Sequence, residues 1–307
     1  MNTPKVAVIM LNWNGYADTI ECIESLKKVT YTNFFIIIVD NASSCNDVQI
    51  LHEKFGNYVD ILAQEKNWGF PEGCNIGMRY ALTKGADYLL LLNNDTVVDP
   101  EFMEELVKTA EGDEKIGIVG SKVYYYYYPT RIQYIGGRIN WILGINGTYI
   151  KDEEDFGQYD MPMWQDYVPA TSCMIKRSVV EKIGYLDPFY FWAIEEFDYC
   201  TRAKRAGFKI IYQPKSKIWH KWQASGVKLS DYPETRNMIN KMVGAGAYKL
   251  WWRLYRTYSP PALFIIPFLL QVSLIGPFCV LFFKRSWRVL LRGIISRFSG
   301  KSRLNLL

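Results

Sequence analysis

Four consecutive leucines followed by a polar cluster constrain this chain more than any other stretch of its 307 residues. Leu89–Leu92 is bounded by polar or aromatic residues, and so short an apolar run is typical of a strand buried on both faces of a parallel sheet. Asn93, Asn94 and Asp95 follow at the carboxyl end of that strand. Open α/β sheets bind ligands at this end, so a carboxylate here is placed to hold a cation or a phosphate. A turn before a helix is the alternative interpretation.

Two further apolar runs also predict strands that end in polar residues. Lys5–Leu11 is followed by a polar turn that begins at Asn12, and Phe34–Val39 is followed by Asp40. Segments with helical spacing separate the strands, and this alternation predicts a doubly wound, mostly parallel sheet. Asp40 and Asp95 would then line one crevice, although a turn or helix cap remains an alternative for Asp40.

A glycine-containing loop, Asn67–Gly77, leads into the next predicted helix. Glycine lets the backbone approach a ligand closely, and the amides of a helix N-terminus attract phosphate, but one such loop is weak evidence. Further on, Asp99-Pro100-Glu101 has the residue types of a helix start. We therefore interpret Asp99 and Glu101 as structural.

Three carboxylates, Glu195, Glu196 and Asp198, lie within four residues and beside aromatic side chains that include Trp192. An apolar surround raises the pKa of a carboxylate and like-charged neighbours raise it further, which is how a general base is commonly made. If a helix begins here, Glu195 and Asp198 share a face and Glu196 points elsewhere. A solvated acidic helix start is the alternative interpretation.

Two stretches are less informative by themselves. Residues 123–167 have weak periodicity, a run of tyrosines and scattered glycines, which predict irregular hairpins packed over the sheet edge. Their aromatic residues could face a sugar or the core. His220 is one of only two histidines, and a single histidine is more often structural than a ligand.

Taken in order, these segments resemble glycosyltransferase family 2, the inverting enzymes with a GT-A fold, and especially its rhamnosyltransferase-like and galactofuranosyltransferase-like members. The resemblance extends roughly from Lys5 to Asn240 and depends on motifs at Val6–Gly15, Val39–Ser43 and Asn67–Gly77. It implies a Rossmann-like, mostly parallel sheet flanked by helices, and a metal-dependent transfer of a sugar from a nucleotide donor.

The resemblance also implies roles for individual residues. Asp40 is expected to contact the base or ribose, and Asp95 to bind Mg²⁺ or Mn²⁺, with His220 completing the metal shell. Asn93 stands where the family has the first acid of its Asp-x-Asp motif, and Glu196 stands at the expected general base. The complete predicted set comprises Glu195 and Glu196 as catalytic residues; Asn12, Asn14, Asp40, Asn67, Gly69, Asn75, Asn93 and Asn94 for the nucleotide sugar; Asp95 and His220 for the metal; and Trp192 and Asp198 on the acceptor side.

The C-terminal part of the chain is both basic and apolar. Thr257–Phe283 is a run of 27 uncharged residues, long enough to cross a bilayer but interrupted by four prolines. Residues 235–307 hold twelve basic residues and no acidic one, and basic clusters flank both ends of the run. This arrangement favours anionic lipid over nucleic acid as a partner, and a re-entrant or in-plane hairpin on the cytoplasmic side of the cell membrane. A single span and a helix pair at a homo-oligomer interface are the alternatives.

We therefore predict a GT-A catalytic domain over residues 1–225, with a nucleotide-sugar half to about 120 and an acceptor half from about 121. A helical connector over 226–258 and a membrane-associating segment over 259–307 complete the chain. The predicted function is transfer from a UDP- or dTDP-sugar to a polyprenyl-linked or growing glycan of the cell envelope. One alternative is a catalytically silent binding component of a glycan assembly complex, because Asn93 replaces the first acid of the metal-binding motif. A second alternative is a nucleotidyltransferase that releases pyrophosphate.

Overall fold

The first half of the chain alternates strands and helices, as the sequence predicts. A computed structural model describes residues 3–141, 145–191, 194–221 and 247–258. The elements up to the leucine strand are β1 (Val6–Asn12), α1 (Tyr16–Leu26), β2 (Phe34–Asp40), α2 (Asp47–Phe55), β3 (Val59–Ala63), α3 (Gly69–Thr83) and β4 (Tyr88–Leu92). Those that follow are β5 (Thr96–Val98), α4 (Phe102–Glu111), β6 (Ile116–Tyr125), β7 (Arg131–Asn140), β8 (Ile145–Glu154), β9 (Met163–Trp164), β10 (Ser172–Lys176), α5 (Arg177–Ile183), α6 (Glu195–Arg205), β11 (Lys209–His220) and α7 (Ala247–Tyr258).

One sheet runs through these elements in the order β3-β2-β1-β4-β10-β6-β11-β5. The first four strands are parallel, as predicted. Beyond β4 the sheet is mixed: β6 and β11 are parallel, whereas β10 is antiparallel to both β4 and β6, and β5 is antiparallel to β11. β10 comes after β5 to β9 in the chain yet lies beside β4 in the sheet, and this nonlocal pairing leaves no signal in the local pattern.

The prediction of irregular hairpins over the sheet edge is also wrong for its first residues. Val123 and Tyr124 belong to β6, a ten-residue strand that lies inside the sheet between β10 and β11. Nine of its ten residues are buried, so the strand lacks the alternation of a half-buried strand. β7 and β8, which follow, are regular ten-residue strands that pair outside the main strand order.

Helices pack on both faces of the parallel strands. On one face Val8 and Met10 of β1 join a core cluster with Ile23 of α1 and Leu106 of α4. On the other face α3 approaches β1 so closely that a Cβ atom on Gly77 would overlap the side chain of Ile9. The two helical layers hold the parallel strands rigidly, which fixes the positions of their carboxyl ends.

The C-terminal elements are described only in part. Contacts divide the chain into one unit of residues 1–139 with 146–254 and a second of residues 140–145 with 255–307. Within the described ranges, no helix is both long and apolar enough to cross a bilayer. The predicted membrane segment, 259–307, and most of the predicted connector lie outside those ranges. The predicted domain boundaries stay predictions.

Candidate functional site

The ends of β1 and β2 meet in a buried polar network. The two strands pair in register, with Asn12 opposite Asp40. Asn12 is fully buried, and its Nδ2 donates to Asp40 Oδ2 at 2.7 Å and to Asp47 Oδ2 at 2.9 Å. The backbone N–H of Ser43 donates to the other oxygen, Asp40 Oδ1, at 3.0 Å. The Asp40 carboxylate is therefore held in one orientation at the carboxyl end of the sheet.

Asp47 is a member of this network that the sequence analysis missed. Its Oδ2 accepts from the backbone N–H groups of Gly15 at 2.9 Å and Tyr16 at 3.1 Å, which are free donors at the start of α1. Asp47 is the first residue of α2, so from the sequence its local role as a helix start is visible. Its capping of a different helix, α1, depends on tertiary contact and cannot be recognised from the sequence.

The predicted asparagines continue the network towards β4. Asn14 has a left-handed backbone with φ of 53°, and its Oδ1 accepts from the backbone N–H of Ser44 at 2.7 Å. Asn94 Nδ2 donates to Thr19 Oγ1 at 2.9 Å, and Thr19 in turn donates to Asn12 Oδ1 at 2.8 Å. Asn94, Thr19 and Asn12 are linked in this way, and Asn14 bonds to Ser44. The predicted contact of these asparagines with a nucleotide stays a prediction.

The glycine-containing loop is joined to the segment that precedes the acidic pair. Asn67 Oδ1 accepts from the N–H of Gly69 at 2.8 Å and from Asn41 Nδ2 at 3.0 Å. The N–H of Phe70 then donates to the carbonyl oxygen of Phe191 at 2.6 Å. Gly69 has φ of +79°, and a Cβ atom there would overlap that carbonyl. Glycine is therefore required at position 69 by both conformation and space.

Asn75 makes a second link to the same segment. Its Nδ2 donates to the carbonyl of Leu186 at 2.9 Å, and its Oδ1 accepts from the N–H of Leu186 at 3.0 Å. Asn75 is buried and uses both ends of its amide for this pair of bonds. The geometry gives Asn75 a scaffolding role, and its predicted contact with the donor is not tested.

We expect Gly69→Ala to reduce activity at least tenfold, because the methyl group displaces Phe191 and with it the approach to the acidic pair. Gly85→Ala is the matched control: Gly85 has φ of +78°, nearly the same as Gly69, but open space around its Cβ position. Both variants should show backbone strain of about 1–2 kcal/mol in thermal unfolding. Equal activities in the two variants would show that the contact with Phe191 does not matter.

The acidic pair opens α6 after a strained turn. Phe191 has φ of 45° and Ile194 has φ of 77°, both unusual for residues with side chains. Glu195 and Asp198 are buried, whereas Glu196 is partly exposed, as the predicted helical phase requires. Asp198 Oδ2 accepts from Arg202 Nε at 2.8 Å, one turn along the helix. Glu196 is therefore the carboxylate of the three that keeps access to solvent.

Desolvation sets the protonation of the pair. Desolvation of the carboxylate by the surrounding protein raises the pKa of Glu196 to about 7, although part of the residue stays exposed. Burial, followed by the charge of Glu196, raises the pKa of Glu195 well above its usual range. Within the described residues Glu195 Oε2 has no hydrogen-bond partner, which favours the neutral acid further. The pair thus combines an acid whose pKa is raised well above its usual range with a carboxylate that titrates near pH 7, as a general base should.

Asp95 and His220 meet although 125 positions separate them in the sequence. β5 and β11 pair with His220 opposite Thr96, which brings His220 Nε2 to 3.2 Å from Asp95 Oδ1. Both side chains are buried. Asn93 Nδ2 also lies 3.3 Å from His220 Nε2. Over the described ranges, no third His, Cys, Asp or Glu joins this pair to form a protein-only metal cluster.

Lys221, which the sequence analysis also missed, anchors the His220 end of β11. Its Nζ donates to Asp18 Oδ1 at 2.6 Å and bonds Glu21 on the same face of α1. Its backbone N–H donates to the carbonyl of Asp95 at 3.0 Å. Trp192, predicted on the acceptor side, lies outside the described residues.

We expect Asn93→Asp to raise the affinity for Mn²⁺ roughly tenfold, because it adds a carboxylate and removes an amide donor from His220 Nε2. Asn94→Asp adds the same charge one residue away, where the side chain faces Thr19, and should change the affinity less. Titration of Mn²⁺ by electron paramagnetic resonance measures both. An unchanged affinity in Asn93→Asp would mean that residue 93 does not face the cation.

The sequence of this chain is similar to a known protein family and to individual relatives. The family model described as glycosyl transferase family 2 matches residues 7–184. The chain is 28% identical over 261 residues to an uncharacterized protein, y4gI, of Sinorhizobium fredii, covering 78% of this chain and 27% of that protein. It is 22% identical over 204 residues to dTDP-rhamnosyl transferase RfbF of Shigella flexneri, covering 64% of this chain and 63% of the relative. The chain thus spans less than two thirds of the length of either.

A solved structure has the same fold. The mannosyltransferase PcManGT from Pyrobaculum calidifontis, in complex with GDP-Man and Mn²⁺, superposes with a TM-score of 0.58 at 14% identity. The match covers 99% of this chain and 77% of the mannosyltransferase. At this identity the likeness shows the fold, and it confirms the GT-A architecture that the sequence predicts.

Proposed function

This chain belongs to glycosyl transferase family 2, and from that premise and its site we propose that it transfers a sugar, with inversion, from a nucleoside-diphosphate donor to an acceptor hydroxyl. The observation that carries the proposal is the pairing of Asp95 with His220 at the end of β4 and β11. A carboxylate oxygen and an imidazole nitrogen form a ligand set that suits Mn²⁺ better than Mg²⁺, which prefers oxygen alone. Asp95 and His220 would hold such an ion.

The polar network at the ends of β1 and β2 supports the placement of the donor. Asp40 is the last residue of β2, and Asp95 follows shortly after the end of β4. β1 lies between these two strands and is parallel to both, so the two carboxylates stand at the same end of the sheet. This arrangement lets one ligand extend from Asp40 to Asp95. A nucleotide sugar has that extended form, with the diphosphate between nucleoside and sugar.

Glu196 is the proposed general base. It is the carboxylate of the acidic pair that is partly exposed, and its pKa of about 7 suits a base at neutral pH. Glu196 would accept the proton of the acceptor hydroxyl as that oxygen bonds to the anomeric carbon. The bond from that carbon to the diphosphate breaks on the opposite face, and a bound divalent cation would stabilise the charge of the departing diphosphate.

We further propose UDP- or dTDP-sugars as donors and a polyprenyl-linked or growing cell-envelope glycan as acceptor. The relative named as a dTDP-rhamnosyl transferase supports a dTDP-sugar. The uncharged run Thr257–Phe283 and its basic flanks support a lipid-linked acceptor, because an enzyme attached to the membrane surface shares that surface with its substrate. The attachment we propose is a re-entrant or peripheral anchor on the cytoplasmic side.

The test is release of nucleoside diphosphate by detergent-extracted full-length protein, across UDP-, dTDP- and GDP-sugars with Mg²⁺ or Mn²⁺. Release from one donor, lost with EDTA, is the expected result. Release of pyrophosphate instead would identify a nucleotidyltransferase. Nucleotide binding without release, even with membrane extract added as a source of acceptor, would favour a catalytically silent binding component.

A further inference from the structure

Gln133 of β7 is in contact with the imidazole of His220 on the side away from Asp95. Gln133 Oε1 lies 2.8 Å from His220 Nδ1, and both side chains are buried, Gln133 completely. An amide oxygen can only accept a hydrogen bond, so this contact is a hydrogen bond when the neutral imidazole carries its proton on Nδ1. The other ring nitrogen, Nε2, then carries a lone pair.

The surroundings of Nε2 agree with this tautomer. Asn93 Nδ2 lies 3.3 Å from Nε2 and can donate to its lone pair. Asp95 Oδ1 lies 3.2 Å from the same nitrogen and, as a carboxylate oxygen, offers a second lone pair. Two electron-rich atoms at this separation repel each other unless a cation lies between them. The pair is therefore arranged to receive a cation.

Gln133 also carries an unsatisfied group. Within the described part of the chain, its Nε2 is buried and has no hydrogen-bond partner. A buried amide left half-unsatisfied destabilises a fold, so stability alone does not account for glutamine at this position. Leucine or methionine would fill similar space without that penalty.

We propose that Gln133 is a positioning residue that fixes His220 as the Nδ1–H tautomer and so directs the Nε2 lone pair at a divalent cation shared with Asp95. This inference rests on the proposed function. It assigns to Gln133 the outer-shell hydrogen bond that orients a metal-binding histidine, a contact that typically changes metal affinity 10- to 100-fold.

The first test is Mn²⁺ affinity of the full-length protein, measured by electron paramagnetic resonance in the presence of UDP. Gln133→Leu should weaken the affinity about 10- to 100-fold. Gln133→Glu keeps an acceptor for the Nδ1 proton and should restore the affinity. Gln213→Leu is the matched control: Gln213 is also buried in the sheet, but it donates to Thr109. Its loss should leave Mn²⁺ affinity unchanged.

The second test reads the tautomer directly and needs no variant of Gln133. With two histidines, His52 and His220, ¹⁵N-imidazole labelling gives two ring spectra, and His52→Gln assigns them. In the metal-free protein at pH above 8, His220 should show a protonated Nδ1 and a pyridine-type Nε2. A protonated Nε2 would overturn the proposal, because Gln133 would then donate through its amide nitrogen.

The outcomes separate the two claims. If the wild-type protein does not bind Mn²⁺ with any nucleotide of the panel, metal assistance itself fails. If it does bind and Gln133→Leu binds equally well, only the role of Gln133 fails. If Gln133→Leu does not fold, the ¹⁵N spectrum of the wild type and the affinity of Gln133→Glu decide the matter.

Discussion

Glu196→Gln is expected to reduce the rate of sugar transfer about 100- to 10,000-fold, the usual contribution of a positioned general base. Glutamine preserves the shape of the side chain but cannot accept the proton of the acceptor hydroxyl. Donor affinity should change little, because in the proposed mechanism Glu196 acts on the acceptor. Rates at saturating donor and the Kd of the donor, from calorimetry, separate the two effects.

The same assignment predicts a pH dependence. Because desolvation raises the pKa of Glu196 to about 7, the base is largely protonated below that pH and ionised above it. The kcat/KM of the wild-type enzyme should therefore increase with pH and level off above about 7. Any residual activity of Glu196→Gln should lack this step. A profile that is flat between pH 5 and 9 would contradict the assignment.

Two further variants complete this experiment. Glu181→Gln makes the same chemical change on the exposed side of α5 and should leave the rate unchanged. Glu195→Gln replaces a buried side chain that the proposed mechanism does not use as the base, so it should cost less than Glu196→Gln. Loss of activity in Glu195→Gln, with activity retained in Glu196→Gln, would assign the base to Glu195 instead.

Asp95→Ala is expected to lower the rate about 100- to 1,000-fold, the effect of removing one group that stabilises developing charge. It leaves His220 as the remaining member of the pair and should shift the Mn²⁺ titration of activity to much higher concentration. The measurement is initial rate against Mn²⁺ concentration, beginning from protein freed of metal with EDTA.

Asp99→Ala is the matched control for this substitution. Asp99 lies four residues further on, and its Oδ1 accepts from the N–H of Glu101 at the start of α4. Its loss should cost about 1 kcal/mol of stability, as for a helix cap, and leave the Mn²⁺ titration where it was. Equal metal dependence in Asp95→Ala and wild type would exclude Asp95 as a ligand.

The sequence predicted the part of this fold that local patterns determine. The leucine strand ended where predicted, and β1 and β2 each ended one residue beyond the predicted apolar run, because such a run and the polar residues that follow it are adjacent in the chain. The antiparallel insertion of β10 was not predictable in this way. Its partners, β4 and β6, lie 80 and 51 positions before it, counted from Ser172 to Leu92 and Ser121.

The candidate site divides in the same manner. Residue types and family resemblance singled out Asp95, His220 and Glu196 as candidates; the structure brings Asp95 and His220 together, and the roles of all three stay predictions. Asp47 and Gln133 were missed, because each acts on a residue distant in the chain: Asp47 on Asn12 and Gln133 on His220. Nothing next to either residue in the sequence indicates its partner, so only the folded structure reveals them.

The hydrogen-bond partners of individual asparagine side chains could not be predicted from the sequence either. Asn12 and Asn75 were predicted to contact the donor, but the structure shows their amides bonded within the protein. An asparagine offers two donors and an acceptor, and the sequence alone does not indicate which neighbour will use them. Their predicted contact with a nucleotide sugar can now be tested separately from their scaffolding contacts.

The most direct test of single displacement with Glu196 as base is the anomeric configuration of the sugar at the moment of release. The slow hydrolysis of an α-configured nucleotide sugar is monitored by ¹H nuclear magnetic resonance from the first minute. The spectra show the anomeric configuration of the released sugar before its two anomers interconvert. We predict that the β-anomer is formed first and that its formation requires Glu196. Initial formation of the α-anomer would contradict the account, because retention requires a different mechanism from a single attack assisted by a general base.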